Sequence, residues 1–193
     1  MKKLTRNDLM SLEQYSDQRA EFRTEVMSHK THRRVPIGPN FTLYFEDRLT
    51  IQYQIQEMLR AERIFEADGI EEELETYNPL IPDGGNLKAT AMFEFPDRDL
   101  RQKRLGELAG VEHHIWLQVD GHDKVSAIAN EDLERSTEDK TSAVHFLRFE
   151  FNEDSISALK SGAGLSAGID HENYPHTSRI EGETLKALVK DLD

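Results

Sequence analysis

Three groups of residues in this chain have the types and spacing that chemistry needs. The first is a carboxylate on an apolar helical stripe. At about 100° per residue, Ile51, Ile55, Met58 and Phe65 share one face of an amphipathic run from Arg48 to Ala67, and Glu62 falls among them. A buried acid with no partner either costs several kcal/mol or titrates to neutrality, so Glu62 demands a cation or a ligand. Arg19 is the candidate, because Tyr15, Arg19, Phe22, Val26 and His29 follow the helical repeat of the preceding segment and set a cation beside aromatics. A structural ion pair is the simpler outcome; a pair facing a cavity would orient a ligand.

The second group is histidine. His113, His114, His122, His145, His171 and His176 all fall in the C-terminal half. His145 opens an apolar stripe with Leu147, Phe149 and Phe151, and His113 shares a face with Ile115, Leu117 and Val119. His113, His145 and His171 are therefore candidate metal ligands, since neutral imidazoles converging with a carboxylate bind zinc, iron or manganese. The spacing matches no standard ligand motif: there is no His-Glu-x-x-His and no helical pair four residues apart. A hydrogen-bonded structural role is the ordinary fate of each histidine taken alone.

The third group lies at a strand exit, Gly168-Ile-Asp-His-Glu-Asn-Tyr-Pro-His176, where Asp170, His171, Tyr174 and His176 form a polar cluster suited to proton transfer near neutrality. No nucleophile is paired with them. The alternative is a helix-entry turn in which Asp170 or Thr177 satisfies backbone donors. Just upstream, Gly162 to Gly168 looks like a phosphate-binding glycine loop, but it follows a helix and enters a strand, the reverse of a dinucleotide fingerprint. As a strand, it turns Gly164, Ser166 and Gly168 to one side, so a helix backbone or a ligand should pack close there. The one basic run, Lys30, Arg33 and Arg34, reads as a helix end favoured by the dipole, or else as an anion contact.

The elements that must position these groups follow from periodicity and turn chemistry. Thr5 and Asp8 cap a short first helix; Ser16 to Lys30 is a second, and Val35 to Asn40 is a proline-rich connection. Strands are expected at Phe41 to Glu46, Leu87 to Phe95, Ser142 to Phe151 and Ala163 to Asp170, with a hairpin of His113 to Val119 and Lys124 to Ala129 about Asp120-Gly121-His122-Asp123. Further helices are expected over Ile70 to Tyr77, Asp97 to Leu108, Glu153 to Ser161 and Thr177 to Asp193, and Glu131 to Thr141 reads as a charged surface excursion. Turn signals break the chain at Asn78-Pro79 and Pro82 to Gly85. No repeat or low-complexity linker divides it. The expectation is one α+β domain over residues 1–193, a mostly antiparallel sheet of about five or six strands with helices packed on it.

Composition narrows the classes of function. A net charge of −13 argues against a nucleic-acid surface, which draws its affinity from clustered Lys and Arg. The charged N-terminus lacks a signal peptide's apolar core, and no run approaches the ~20 apolar residues of a membrane span, so a cytoplasmic protein is expected. With no cysteine, disulfides, thiolate nucleophiles, zinc ribbons and cysteine-ligated iron–sulfur clusters are excluded. No haem is expected, and a divalent metal would have to be held by His, Asp and Glu.

Four phrases together carry a family resemblance: Gln54-Ile-Gln-Glu-Met-Leu-Arg-Ala-Glu-Arg-Ile64, Glu75-Thr-Tyr-Asn-Pro-Leu-Ile-Pro82, Glu112-His-His-Ile-Trp116 and Gly168-Ile-Asp-His-Glu-Asn-Tyr174. With these, the chain resembles the bacterial domain-of-unknown-function family 3501 nearly end to end. The resemblance implies a bacterial single-domain protein of this length and supplies no established activity. Members are often encoded beside rubrerythrin-like proteins and iron–sulfur reductase subunits, which implies a redox or oxidative-stress setting and redox-protein partners. The leading expectation is thus a ligand-binding or accessory protein with an acidic surface for partner contact. The alternative is a His/carboxylate enzyme, metal-dependent or not. A structural homo-oligomer is the third reading.

Overall fold

The computed structural model describes residues 1–132, 135–137 and 140–193. Its strands are β1 (Arg34–Pro36), β2 (Phe41–Phe45), β3 (Asn86–Phe93), β4 (Ile115–Val119), β5 (Lys124–Ser126), β6 (Ile128–Ala129), β7 (Val144–Glu150), β8 (Leu165–His171) and β9 (Tyr174–Ile180). Its helices are α1 (Leu12–Thr31), α2 (Arg48–Glu62), α3 (Ala67–Tyr77), α4 (Arg98–Glu107), α5 (Glu153–Lys160) and α6 (Gly182–Val189). All pairings are antiparallel, and they form two sheets, ordered β1-β2-β3-β7-β6 and β5-β4-β8-β9.

Alternation explains why the sheets face each other. In β2, β3 and β7, Phe41, Leu43, Ala89, Ala91, Leu147 and Phe149 are buried and belong to one core with Ile115, Leu117, Val119, Leu165, Ala167 and Ile169 of the other sheet. The expected hairpin forms, with Leu117 opposite Val125, but its second arm changes sheets. Lys124–Ser126 pairs with β4, Ala127 N still donates to Ile115 O at 2.8 Å, and Ile128–Ala129 then pairs with β7. At the opposite edge, side chains join the sheets: Ser178 Oγ donates to Pro36 O (2.6 Å) and Tyr174 OH to Ile37 O (3.0 Å).

The other face of the five-stranded sheet meets the helices. α1 begins at Leu12 because Ser11 and Gln14 cap each other's backbone N–H, at 3.2 and 3.1 Å. α2 starts in the same way from Asp47 and Thr50, each accepting the other's N–H at 2.9 Å. Tyr15, Phe22 and Val26 of α1 pack with Tyr53 of α2, while Ile51, Ile55 and Leu59 of α2 pack with Leu74 of α3 and with Leu4.

Four expectations need correction. The connection expected at Val35 to Asn40 opens as a strand, β1, with Val35 opposite Leu43 and Pro36 opposite Thr42. The long helix stops at Glu62: Arg63 adopts a left-handed conformation (φ 58°), and both Arg63 N and Ile64 N donate to Leu59 O. That turn tucks Ile64 against the α2–α3 cluster and leaves Phe65 68% exposed. The final helix does not begin at Thr177, because Tyr174–Ile180 is an edge strand paired with β8 from His171 opposite Tyr174 to Leu165 opposite Ile180. The bare side of β8 is covered by side chains rather than by a helix backbone. The Trp116 ring lies on Gly168, where a Cβ would stand 2.2 Å from Cζ2, and the Arg179 and Asp120 side chains cover Gly164. The excursion expected at Glu131 to Thr141 lies partly outside the described residues.

Candidate functional site

The strand positions that alternate with the core line a cleft roofed by α1 and α2. Tyr44, Thr90, Met92, Val144 and Phe146 form its floor; Met27 and Lys30 come from α1, and Thr50, Ile51 and Gln54 from α2. Its volume is ≈ 380 Å³, within the range of small-molecule sites. Tyr77, Leu80 and Phe146 also border a second hollow of ≈ 600 Å³, reached along the same sheet face and lined further by Lys88, Arg135 and Arg148.

A carboxylate is held on the cleft floor. Glu46, one residue past β2, accepts Thr50 Oγ1 on Oε2 and Thr90 Oγ1 on Oε1, both at 2.6 Å. One hydroxyl from the roof and one from the sheet thus orient the carboxylate. Glu94, further along the same face, accepts from Thr42 Oγ1 at 3.1 Å and from Tyr44 OH at 3.3 Å.

One end wall is a buried charge network. Arg33 donates to both carboxylate oxygens of Asp191, at 2.7 and 2.8 Å, and its Nη2 lies 2.9 Å from Asp47 Oδ2. Burial opposes the charge on Arg33, but hydrogen bonding to Asp191 and the nearby Asp47 outweigh it and hold its pKa above the ordinary arginine value. His29 Nε2 stands 2.5 Å from Asp47 Oδ2 and 2.9 Å from Arg33 Nε. Arg33 Nε–H can only donate, so a single proton decides whether that imidazole nitrogen serves Arg33 or Asp47.

The expected partnership of Arg19 with Glu62 does not form. Glu62 is exposed at the last turn of α2, and Arg19 instead makes a bidentate pair with Glu57, Nε to Oε1 at 2.7 Å and Nη2 to Oε2 at 2.8 Å. Tyr15 OH donates to the same carboxylate at 2.5 Å. The hydrogen bonds from Arg19 and Tyr15, against some burial, lower the Glu57 pKa to about 2, while burial foremost raises that of Tyr15. The signal for Glu57 was its position four residues after Tyr53, on the face that α2 turns to α1.

The strand-exit cluster is likewise divided. Asp170 points to solvent and pairs with Lys124 at 2.7 Å; its neighbour His171 points inward and buries its ring. His171 Nδ1 accepts from Asn173 N at 3.2 Å, which fixes the β8–β9 turn. Tyr174 and His176 do meet, with ring centres 4.5 Å apart, but Tyr174 OH is used by Ile37 O and Asn40 N. A Cβ at Gly38 would clash with both rings, so this contact anchors the β1–β2 loop. Strand alternation thus parts solvent-facing Asp170 from His171, Tyr174 and His176.

The three candidate metal ligands do not converge. His113 is exposed, His171 closes a turn, and His145 is fully buried with its nitrogens against Thr141, Ser142 and Asn130. Among the described residues, no group of three or more His, Asp or Glu side chains is placed to hold a metal ion. His145 Nε2 lies 2.8 Å from Thr141 Oγ1, and that hydroxyl donates to buried Glu112 at 3.2 Å. A hydroxyl beside an imidazole is the beginning of a nucleophile. Here the hydroxyl is already given to Glu112 and is buried, so the trio holds the structure together. Burial pushes the His145 pKa below the usual imidazole value, and Glu112 offsets only part of this.

Fold and site together define a class: an antiparallel α+β protein whose sheet pair carries a helix-roofed cleft with one carboxylate on its floor. The chain belongs to the family described as protein of unknown function, DUF3501, whose model matches residues 3–192. A solved structure from Burkholderia pseudomallei, titled a novel protein of unknown function, is 48% identical, with a TM-score of 0.95 and 100% of each chain covered. No curated protein matches the chain. Among the described residues, no helix is long and apolar enough to cross a membrane.

Proposed function

We propose that the protein binds a small, partly apolar molecule in the cleft beneath α1 and α2, and that it serves a redox-linked system as a cytoplasmic accessory. The observation that carries the binding reading is the oriented carboxylate of Glu46 inside an otherwise largely apolar, ligand-sized cavity. Such a site combines apolar walls for affinity with a few fixed polar atoms for orientation. The redox setting rests on the family resemblance alone, and the net charge of −13 suits contact with a basic partner surface.

Native mass spectrometry of protein purified from its bacterium tests the cleft. A small molecule should travel with the wild type and be lost from Val144→Trp, which fills the floor. A molecule retained by a folded Val144→Trp protein would place binding elsewhere. Affinity capture tests the accessory role: rubrerythrin-like or iron–sulfur proteins should be recovered. Recovery of neither, together with turnover of a small substrate, would favour the His/carboxylate enzyme instead, and elemental analysis would then decide its metal dependence.

A further inference from the structure

The charges around the cleft select among ligands. Arg33 is matched by Asp47 and Asp191, so that trio carries a net charge of −1 when both acids are ionised. Lys30 turns its ammonium towards the Tyr53 ring, 5.5 Å from its centre, at the seam of α1 and α2. Glu46 makes no direct ion pair: Arg33 feels its charge through space but gives its charged hydrogen bonds to Asp191 and Asp47. Among the described residues no cation comes within ion-pair distance of it, and its hydrogen bonds come from the neutral hydroxyls of Thr50 and Thr90. Each carboxylate oxygen has room for about two donors, so each keeps a free acceptor position.

Glu94 adds a second carboxylate along the same sheet face, held by Thr42 and Tyr44. The cleft therefore offers free acceptors on its carboxylate, against which an anionic ligand would meet repulsion and the desolvation of Glu46. Beyond the carboxylate, the floor continues as Met92, Val144 and Phe146, with Tyr77 at the neck. Two of the floor's rings already carry guanidinium groups of the protein itself, Arg34 over Tyr44 at 5.9 Å and Arg135 over Phe146 at 4.6 Å, so a ligand's charge belongs at Glu46 and its apolar body along the floor.

We propose that the ligand is an organic ammonium whose N–H groups donate to Glu46 and whose apolar body lies along Met92, Val144 and Phe146. This rests on the cleft being the binding site. The two acceptor positions left on Glu46 can take two N–H donors of a primary or secondary ammonium. Thr50 and Thr90 already fix the orientation of the carboxylate, so little side-chain freedom is lost on binding.

Three probes of equal skeleton, 4-phenylbutylamine, 4-phenylbutanol and 4-phenylbutyrate, separate the two readings by isothermal titration calorimetry at neutral pH. The amine should bind wild-type protein at least about tenfold more tightly than either other probe. Glu46→Gln should weaken the amine by a similar factor and leave the alcohol within about twofold, with thermal melting to verify the fold. Val144→Trp should abolish binding of all three.

If the alcohol or the acid binds as well as the amine and Val144→Trp removes both, the cleft stands and the ammonium reading falls. If no probe binds, or Val144→Trp changes nothing in a folded protein, both readings fall. The ranking of the probes on wild-type protein decides the matter even if Glu46→Gln does not fold.

Discussion

Arg33 and Asp191, 158 residues apart in the chain, share two hydrogen bonds inside the protein, at 2.7 and 2.8 Å. The same guanidinium reaches Asp47, the cap of α2, so one side chain fastens the C-terminal segment and the roof of the cleft to the start of β1. Breaking a buried pair from one side strands the remaining charge, so Arg33→Ala and Asp191→Ala should each cost about 3–5 kcal/mol in urea unfolding. The double variant should lose far less than the sum. Additive losses would show that the two residues act independently.

Glu57 contributes a second ion pair with a defined pH dependence. Its pKa lies at about 2 in the folded protein, below the ordinary value of 4.5. A depressed acid stabilises the fold above its unfolded pKa, and that contribution is lost as pH falls from 4.5 towards 2. Glu57→Gln should be less stable than wild type by about 1 kcal/mol at neutral pH, and the gap should close on acidification through that window. Glu62→Ala, by contrast, should stay within about 0.5 kcal/mol at neutral pH.

His145 also loses its contribution on acidification, in a higher pH window than Glu57. With its pKa below 6.5 in the folded state, the buried ring stays neutral while the unfolded chain takes up a proton, so stability present above 6.5 is lost as pH falls through the folded value. His145→Gln should be destabilised by about 1–3 kcal/mol at pH 8 through its broken contacts to Thr141 and Ser142. Its stability should then fall less steeply than wild type between pH 7 and pH 5 in matched denaturation series.

The chain's single tryptophan reports on the packing of the outer sheet. Gly168→Ala pushes a methyl into the Trp116 ring and should cost about 1–3 kcal/mol, with a red-shifted emission as the ring lifts. Combining it with Trp116→Leu should recover much of the loss. A Gly168→Ala protein with unchanged emission and stability would disprove the contact.

The parts legible in the sequence are those with local causes. Leu87, Ala89, Ala91 and Phe93 alternate and lie on the core face of β3, and Asp120-Gly121 turns the β4–β5 hairpin as its residues require. Strand β9 was hidden because its ends, Tyr174 and Ile180, are buried while the positions between are polar or proline. Pro175 is tolerated because the strand lies at the sheet edge. The Glu62 stripe was a correct period extended too far, since a left-handed Arg63 carries no strong sequence signal. Glu46 is ordinary in sequence; only the approach of Thr90, from 44 residues away, makes it part of a site.

The passage of one chain segment from sheet to sheet through Ala127, with the Tyr174 and Ser178 stitches at the opposite edge, makes the two sheets behave mechanically as a flattened tube. The cleft lies outside this tube, between its five-stranded wall and the helices, so the motions that widen it fall on α1 and α2 rather than on the paired sheets. Amide hydrogen exchange should then divide into two tiers: β3, β4, β7 and β8 exchanging only with global unfolding, and α1 and α2 exchanging through smaller openings that set how quickly a ligand enters and leaves.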